Sequence, residues 1–332
     1  MRTEQESAVH GDGRDDGAAV IVRAPTEARN SGTHDIDLLP ALDVLRRINA
    51  EDATVPAAVG AVLPELARAV ELGVAALESG AAIHYFGAGT SGRIAAQDAA
   101  ELPPTYGVPA EWVVAHHAGG GEALARAVEG IEDDWASGRA DAEGIAPGSL
   151  AVGLAASGRT PYVGGALEAA RERSAATVLI SANPRAPLAG SVDVHVGVST
   201  GAEVIAGSTR MKAGTAQKLA LNAFSTAVMV RMGRTYSNLM VGVDATNGKL
   251  RGRVVTILTQ ATGLGESACA AALTAADGDT RVALVSLLAD VDAAEAARAL
   301  GAARGRVRAA LGELGVPGPV APEEPEKPEE PE

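Results

Sequence analysis

Apolar residues recur at helical spacing through residues 38–49 and again through 55–77, joined by a stretch at 52–54 suited to capping a new helix. A helical lead-in is therefore predicted ahead of the first strand. Beyond it the pattern changes. Short apolar runs at 83–86, 112–115, 150–154 and 177–181 each end in turn residues: Gly87, the glycines at 119–121, Ser157-Gly158 and Asn183-Pro184. Helices predicted at 124–128 and 162–171 fall between them. This alternation predicts an α/β protein with a parallel sheet covered by helices on both faces. One more strand is predicted at 192–198, then helices at 208–231 and 254–261. The Ala-rich segment 265–314 holds three short helical patterns, broken around 277–279 and 290–292, and reads as a small helical bundle. The organisation expected is an arm at 1–24, an α/β body with its lead-in at 25–255, a helical subdomain at 256–315 and a tail at 316–332. The arm is polar and aperiodic and the tail, PEEPEKPEEPE, is acidic and Pro-rich, so both are expected to be disordered.

Composition narrows the functional classes. With 47 % apolar residues, the chain of 332 has ample material for an extended core. Aromatics are only 2 %, which excludes open stacking platforms for bases, and a net charge of −14 disfavours nucleic acid. No apolar run is long enough to span a membrane, and the N-terminus lacks the basic and apolar regions of a secretory signal. A soluble cytoplasmic protein is expected. The single cysteine, Cys269, excludes an intrachain disulfide and a cysteine-cluster metal site, and reads as a small apolar helix residue. Histidines 84, 116, 117 and 195 lie on predicted strands or at their ends without metal-ligand spacing, so no metal is expected.

The candidate chemistry sits where strands end. GAGTSGR at 87–93 follows a strand, opens a helix and satisfies G-x-G-x-x-G. A dinucleotide fold also wants an acid near the end of the second strand, and here Glu111 stands at its beginning. Thr90 and Ser91 instead place hydroxyls beside the N–H groups of a helix N-terminus, which suits a phosphate monoester. A second loop, AASGRTP at 155–161, offers Ser157, Gly158, Arg159 and Thr160 at the same sheet edge. A third, at 201–215, carries Glu203 and is predicted to put Ser208 and Thr209 at the start of a long helix. Arg210, Lys212 and Lys218 supply positive charge nearby, and one of them is expected to meet a substrate anion.

Two acidic positions stand out. Glu101 is predicted to end the helix begun at Ile94, directly before Pro103-Pro104, where the negative end of the helix dipole would favour a protonated acid. Glu129, Glu132, Asp133 and Asp134 form a cluster within which spacing makes no choice.

Taken together these residues resemble the N-acetylmuramic acid 6-phosphate etherases, of the sugar isomerase (SIS) domain superfamily. The resemblance runs from Thr26 to near Leu314. It rests on TEARN at 26–30, INAED at 48–52, GAGTSGR at 87–93, ELPPTYG at 101–107, VEGIED at 128–133, AASGRTPY at 155–162, GSTRMKAGTAQKL at 207–219, NLM at 238–240 and ATN at 245–247. Leu102 stands where the family usually has Cys, and Ser237 where it has Gly; only local packing differences are expected from either. The resemblance implies an SIS fold and homodimers with active sites at the subunit interface. It implies a carbon–oxygen lyase that cleaves a lactyl ether to N-acetylglucosamine 6-phosphate and D-lactate in cell-wall recycling, without cofactor or metal. It puts the family's two catalytic acids on Glu101 and Glu132. The substrate-binding set expected is Thr90, Ser91, Gly92, Arg93, Ser157, Gly158, Arg159, Thr160, Glu203, Ser208, Thr209 and Lys212. In the expected mechanism Glu132 removes the C2 proton of the ring-opened sugar and Glu101 protonates the departing ether oxygen, the reverse assignment remaining open. The rival readings are a phosphosugar sensor, which needs only the hydroxyl loops, and an aldose–ketose isomerase on the same fold.

Overall fold

The computed structural model describes residues 24–242 and 248–317. The predicted arm and tail therefore lie almost wholly outside the described residues, as does the 245–247 motif. The lead-in forms α1 (Ala41–Asp52), α2 (Val55–Gly60) and α3 (Leu63–Glu78), so the single helix expected over 55–77 is split in two. Pro64, near the start of α3, suits the first turn of a new helix and not the interior of a continuous one.

Then follow β1 (Ile83–Gly87), α4 (Gly89–Tyr106), β2 (Val113–His117), α5 (Gly120–Ala125), α6 (Trp135–Asp141), β3 (Leu150–Leu154), α7 (Pro161–Glu172), β4 (Ala176–Ser181) and β5 (Val194–Gly197). The helix expected at 124–128 is displaced: α5 starts at the glycines and ends at Ala125. All five strands are parallel, in the order β2-β1-β3-β4-β5. Period-two alternation sends Ile83, Tyr85, Leu150, Val152, Val178 and Ile180 to a core built with α3, α4 and α8 (Lys212–Arg231). The intervening Phe86, Ala151 and Leu179 join a second core with α7 on the opposite face. This is the sheet sandwiched by helices that the alternation predicted.

A short hairpin, β6 (Thr235–Tyr236) and β7 (Leu239–Met240), leads to α9 (Gly248–Thr262), α10 (Glu266–Ala275), α11 (Thr280–Ala289), α12 (Ala293–Ala302) and α13 (Val307–Glu313). The last helical pattern is therefore two helices, broken where Arg304 and Gly305 take positive φ. Hairpin and helices share a separate apolar core that includes Cys269. The bundle meets the α/β body at backbone level: a Cβ on Gly107, which caps α4 at φ +58°, would collide with the carbonyl of Gly242. No helix among the described residues is long and apolar enough to cross a membrane.

Half-buried histidines bridge β1 and β2. His84 Nδ1 lies 3.1 Å from His116 Nε2, and the His116 ring stacks on Phe86. Burial, reinforced by the neighbouring ring, lowers His84 from 6.5 to about 4; burial lowers His116 and His195 as well. The folded state thus binds fewer protons here than the unfolded chain, and this contribution to stability is lost as pH falls from 6.5 towards 4. Buried Asp98, pushed up to about 6, acts in the opposite direction between 3.8 and 6. The comparison that isolates the histidine is Tm against pH: His84→Gln is expected to flatten the acid limb relative to wild type.

Candidate active site

The strand order reverses at β1. The chain leaves it for β2 on one side and returns to β3 on the other, so the loops after β1 and β3 diverge and open a crevice at the carboxyl edge of the sheet. The first loop is held by close packing. A Cβ on Gly87 would stand 2.7 Å from Gly92 N, and one on Gly92 would lie 2.5 Å from Gly87 O and collide with the His117 ring. The two glycines thus let α4 start directly against β1 and β2, and Thr90, Ser91, Gly92 and Arg93 form its first turn. Gly92 N donates to Ala88 O at 3.2 Å, while the N–H groups of Thr90 and Ser91 have no backbone acceptor among the described residues and stand at the carboxyl edge of the sheet. His117 lies beneath, its ring nitrogens 2.7 Å from Ala118 O and 3.2 Å from Gly89 O.

The second loop is braced from β4: Asn183 Nδ2 donates to Ser157 O (3.1 Å) and Leu188 N to Gly158 O (3.1 Å). Gly158 has φ +69° and leaves no room for a Cβ against Ala186. The third loop closes over the first, with Gly214 placed between Thr209 and Thr90. The hydroxyls of Thr90, Ser157, Thr160, Ser208 and Thr209 are half-buried and, among the described residues, have no hydrogen-bond partner. Arg159 is likewise half-buried and Arg210 exposed, both without an ion-pair partner. Ser91 differs: its Oγ donates to Gln217 Oε1 at 2.8 Å, while the buried Gln217 Nε2 has no partner.

Glu203 and Lys212 hold the third loop. The long helix starts at Lys212 and not at Ser208, because the fully buried Glu203 accepts from Lys212 N (3.0 Å) and Ala213 N (2.9 Å). A carboxylate on the first N–H groups is what caps a helix there; Ser208 and Thr209 stay in the preceding turn. Burial raises the Glu203 carboxyl, and the two N–H bonds oppose it. Lys212 is itself buried, its Nζ 2.6 Å from Glu51 Oε2. That contact, acting against burial, lowers the Glu51 carboxyl. Both side chains thus brace the loop, and the partner of Lys212 is Glu51 of the 48–52 motif. Lys212→Met is expected to reduce stability by roughly 1–3 kcal/mol in urea unfolding at unchanged m-value. The figure is below that of a fully buried pair because Glu51 keeps 26 % of its side chain exposed.

The two acids occupy different settings. Glu101 does not end its helix as the sequence predicted: α4 runs through Pro103 and Pro104 to Tyr106, so Glu101 lies inside the helix and not at the negative end of its dipole. A proline pair in the last turns removes N–H groups whose loss the short remaining segment tolerates, and Gly107 N closes the helix on Pro103 O. Glu101 is exposed, with Gln97 Nε2 donating to it at 3.1 Å. Glu132 is also exposed, on a 3-10 turn (Ile131–Asp133) entered through Gly130 at φ +77° and anchored by Ile131 against the α7 core. Asp134 leaves the acidic cluster as the cap of α6, accepting from Ser137 N at 2.9 Å. Arg93 turns away from the first loop, its guanidinium donating to the carbonyls of Ala123 (2.8 Å), Leu124 (2.9 Å) and Arg126 (3.0 Å). A cation at the C-terminus of α5 is favourable, and it ties the segment leading to Glu132 onto α4.

One helical turn before Glu101, the buried Asp98 accepts from Tyr85 OH (3.1 Å) and Ser225 Oγ (3.0 Å). Burial pushes Asp98 up to about 6, the charge of Glu101 adding to it, while those bonds and the charge of Lys218 oppose the rise. Sequence reading missed this group, since an aspartate inside an Ala-rich helix carries no signal until its neighbours are known. Among the described residues no cluster of His, Cys, Asp and Glu is disposed to hold a metal ion.

Residues 65–171 match the family model described as Glucokinase regulatory protein N-terminal SIS domain. The chain is 73 % identical over 268 residues to the N-acetylmuramic acid 6-phosphate etherase of Thermobifida fusca, covering 81 % of this chain and 88 % of that one. It is 48 % identical over 288 residues to the protein of the same name from Serratia proteamaculans (86 % and 97 % covered). The protein of that name from Mesorhizobium japonicum is 45 % identical over 290 residues (87 % and 94 %). Among solved structures, a phosphoheptose isomerase from Francisella tularensis aligns at TM-score 0.44 and 16 % identity, covering 57 % of this chain and 98 % of that one. One from Neisseria gonorrhoeae aligns at TM-score 0.43 and 20 % identity, with the same coverage.

Proposed function

The chain belongs to the N-acetylmuramic acid 6-phosphate etherases, and from that membership we propose how its residues release D-lactate from N-acetylmuramic acid 6-phosphate. The observation that carries the reading is the set of half-buried, unpartnered hydroxyls which three loops gather around the N-terminus of α4. A phosphate dianion presents acceptors only, and hydroxyls with backbone N–H groups at a helix start are donors for it. The phosphate is taken by the Thr90 hydroxyl and the N–H groups of Thr90 and Ser91, with Gly92 allowing the close approach and Ser157, Gly158, Arg159, Thr160, Ser208 and Thr209 around the sugar.

The chemistry follows from the ring-opened sugar, whose C1 aldehyde acidifies the C2 proton. Glu132 takes that proton. The electron pair forms the C2–C3 double bond, the C3–oxygen bond breaks, and Glu101 gives its proton to the leaving oxygen, so lactate departs as an alcohol. Water then adds at C3, losing a proton to Glu101, while Glu132 returns its proton to C2. The sum is ether plus water to N-acetylglucosamine 6-phosphate plus lactate, with both carboxyls restored.

Glu101 lies roughly 16 Å along α4 from Thr90 at the rise of an α-helix. That separation supports a homodimer in which one subunit's acid serves the crevice of the other. An exposed apolar face supports it too: Leu38, Leu42 and Leu45 are 80, 57 and 62 % exposed, and α1 packs on α8, which carries the exposed Leu219. The reading sets the reaction in the cytoplasm, where a lone reduced Cys269 is unremarked.

The test is incubation of the purified protein with N-acetylmuramic acid 6-phosphate and enzymatic assay of D-lactate. Release of lactate is expected. Binding without release would favour the sensor reading, to which the match with a regulatory protein's SIS domain gives some weight.

A further inference from the structure

The substrate carries two anions, and the loops around Thr90 account for one. The lactyl carboxylate is a single carbon removed from the ether oxygen, so whatever binds it must stand beside the group that protonates that oxygen. Among the described residues, the contacts beside Glu101 lead to the cation Lys218. On α4, Asp98 and Glu101 are i, i+3 neighbours; on α8, Lys218, Asn222 and Ser225 form a stripe at helical spacing, and the two helices pack together. The Asn222 amide satisfies both its neighbours in one orientation only. In it the nitrogen donates to Asp98 Oδ1 (3.1 Å) and the oxygen accepts from Lys218 Nζ (2.8 Å). Asp98 is fixed in turn by Tyr85 and Ser225. Lys218 is exposed, and this amide is its only hydrogen-bond partner among the described residues.

The other candidates are occupied or remote. Lys212 is buried against Glu51, and Arg93 is engaged by the carbonyls that end α5. Arg159 and Arg210 stand with the phosphate loops. An ammonium hydrogen-bonded to a neutral amide keeps two N–H donors for a ligand, and the Asp98 carboxyl acts on it across that amide without a direct ion pair.

Resting on the etherase reading, we propose that Lys218, held by Asn222, binds the lactyl carboxylate of the substrate and so selects for this leaving group beside Glu101. The subunit that supplies Glu101 supplies Lys218 with it, so acid and carboxylate anchor reach the crevice as a unit. The role is one of binding and specificity: a simple 3-O-alkyl ether would be cleaved without help from the lysine.

The test compares two substrates, N-acetylmuramic acid 6-phosphate and the 3-O-ethyl ether of N-acetylglucosamine 6-phosphate, in which hydrogen replaces the carboxylate. Formation of N-acetylglucosamine 6-phosphate is the common readout. Lys218→Met is expected to lower kcat/KM roughly 10- to 100-fold on the lactyl ether, the range of a charge-assisted hydrogen bond, and to leave the ethyl ether unchanged. Lys218→Arg should recover part of the loss, and Asn222→Leu should reproduce it in milder form. Equal losses on both ethers, or none on the lactyl ether, would overturn the assignment while leaving the etherase reading intact. No product from either ether with wild-type protein would remove that reading, and the lysine's role with it.

Discussion

Glu101→Gln and Glu132→Gln are each expected to lose roughly 10²- to 10⁴-fold in kcat, the usual worth of one positioned acid or base, with substrate affinity within a few-fold of wild type. Neither side chain supports the fold. Glu101 is exposed with a single contact from Gln97, and Glu132 sits on a turn held by its neighbour Ile131. The two variants should differ in a second readout. In D2O, Glu101→Gln keeps its base and should still exchange the substrate's C2 proton while releasing no lactate. Glu132→Gln should do neither. Exchange surviving in Glu132→Gln and lost in Glu101→Gln would reverse the two roles; lactate release by both at wild-type rates would remove the acids from the mechanism.

Gly92→Ala is expected to be the most damaging change of a single methyl group. The added carbon would stand 2.5 Å from Gly87 O and collide with His117 Cδ2, both fixed by the sheet beneath. The first turn of α4 must lift away, and overpacking of that kind costs about 1–3 kcal/mol. The functional loss should be larger than the loss of stability. The turn that lifts carries Thr90 and Ser91, and a displacement near 1 Å in a positioned group costs on the order of 10²-fold in rate. Equilibrium unfolding and kcat/KM measured on the same preparation separate the two. A Gly92→Ala enzyme with a lowered Tm and unchanged kcat/KM would show that this turn does not hold substrate.

Much of the architecture was legible because strand and helix periods differ and each strand ended in a turn residue. Residues 150–154 were read as a strand with the bounds the structure gives, since an all-apolar run between turns has one sensible partner, a buried parallel sheet. Boundaries governed by distant partners were not legible. The start of α8 is set by Glu203, whose carboxylate meets the helix only after the 203–212 loop has folded back. Arg93 reads in sequence as part of a phosphate loop, and only the position of α5 shows where its guanidinium goes. Glu101 was mislocated within its helix because two prolines normally announce an end; Gly107 is where the end falls. For the proposed catalytic pair, spacing left the acidic cluster undivided. Family resemblance chose Glu132, and the structure adds that Asp134 is committed to a cap.

The glycine contacts at the two ends of α4 have a dynamic meaning. At one end Gly87 and Gly92 press the helix onto β1, and at the other Gly107 is pressed against Gly242. A rod clamped at both ends neither slides nor pivots, so Glu101 has a fixed address. Glu132 is held more loosely: its segment, between α5 and α6, is mostly exposed, pinned by Ile131 against the α7 core and tied to α4 through the guanidinium of Arg93. Any closing motion during turnover is therefore expected of the segment that carries Glu132 and not of α4. Amide exchange should be slow along 93–102 and fast along 126–130, with substrate protecting the second stretch and the Thr90 and Ser91 amides that meet the phosphate.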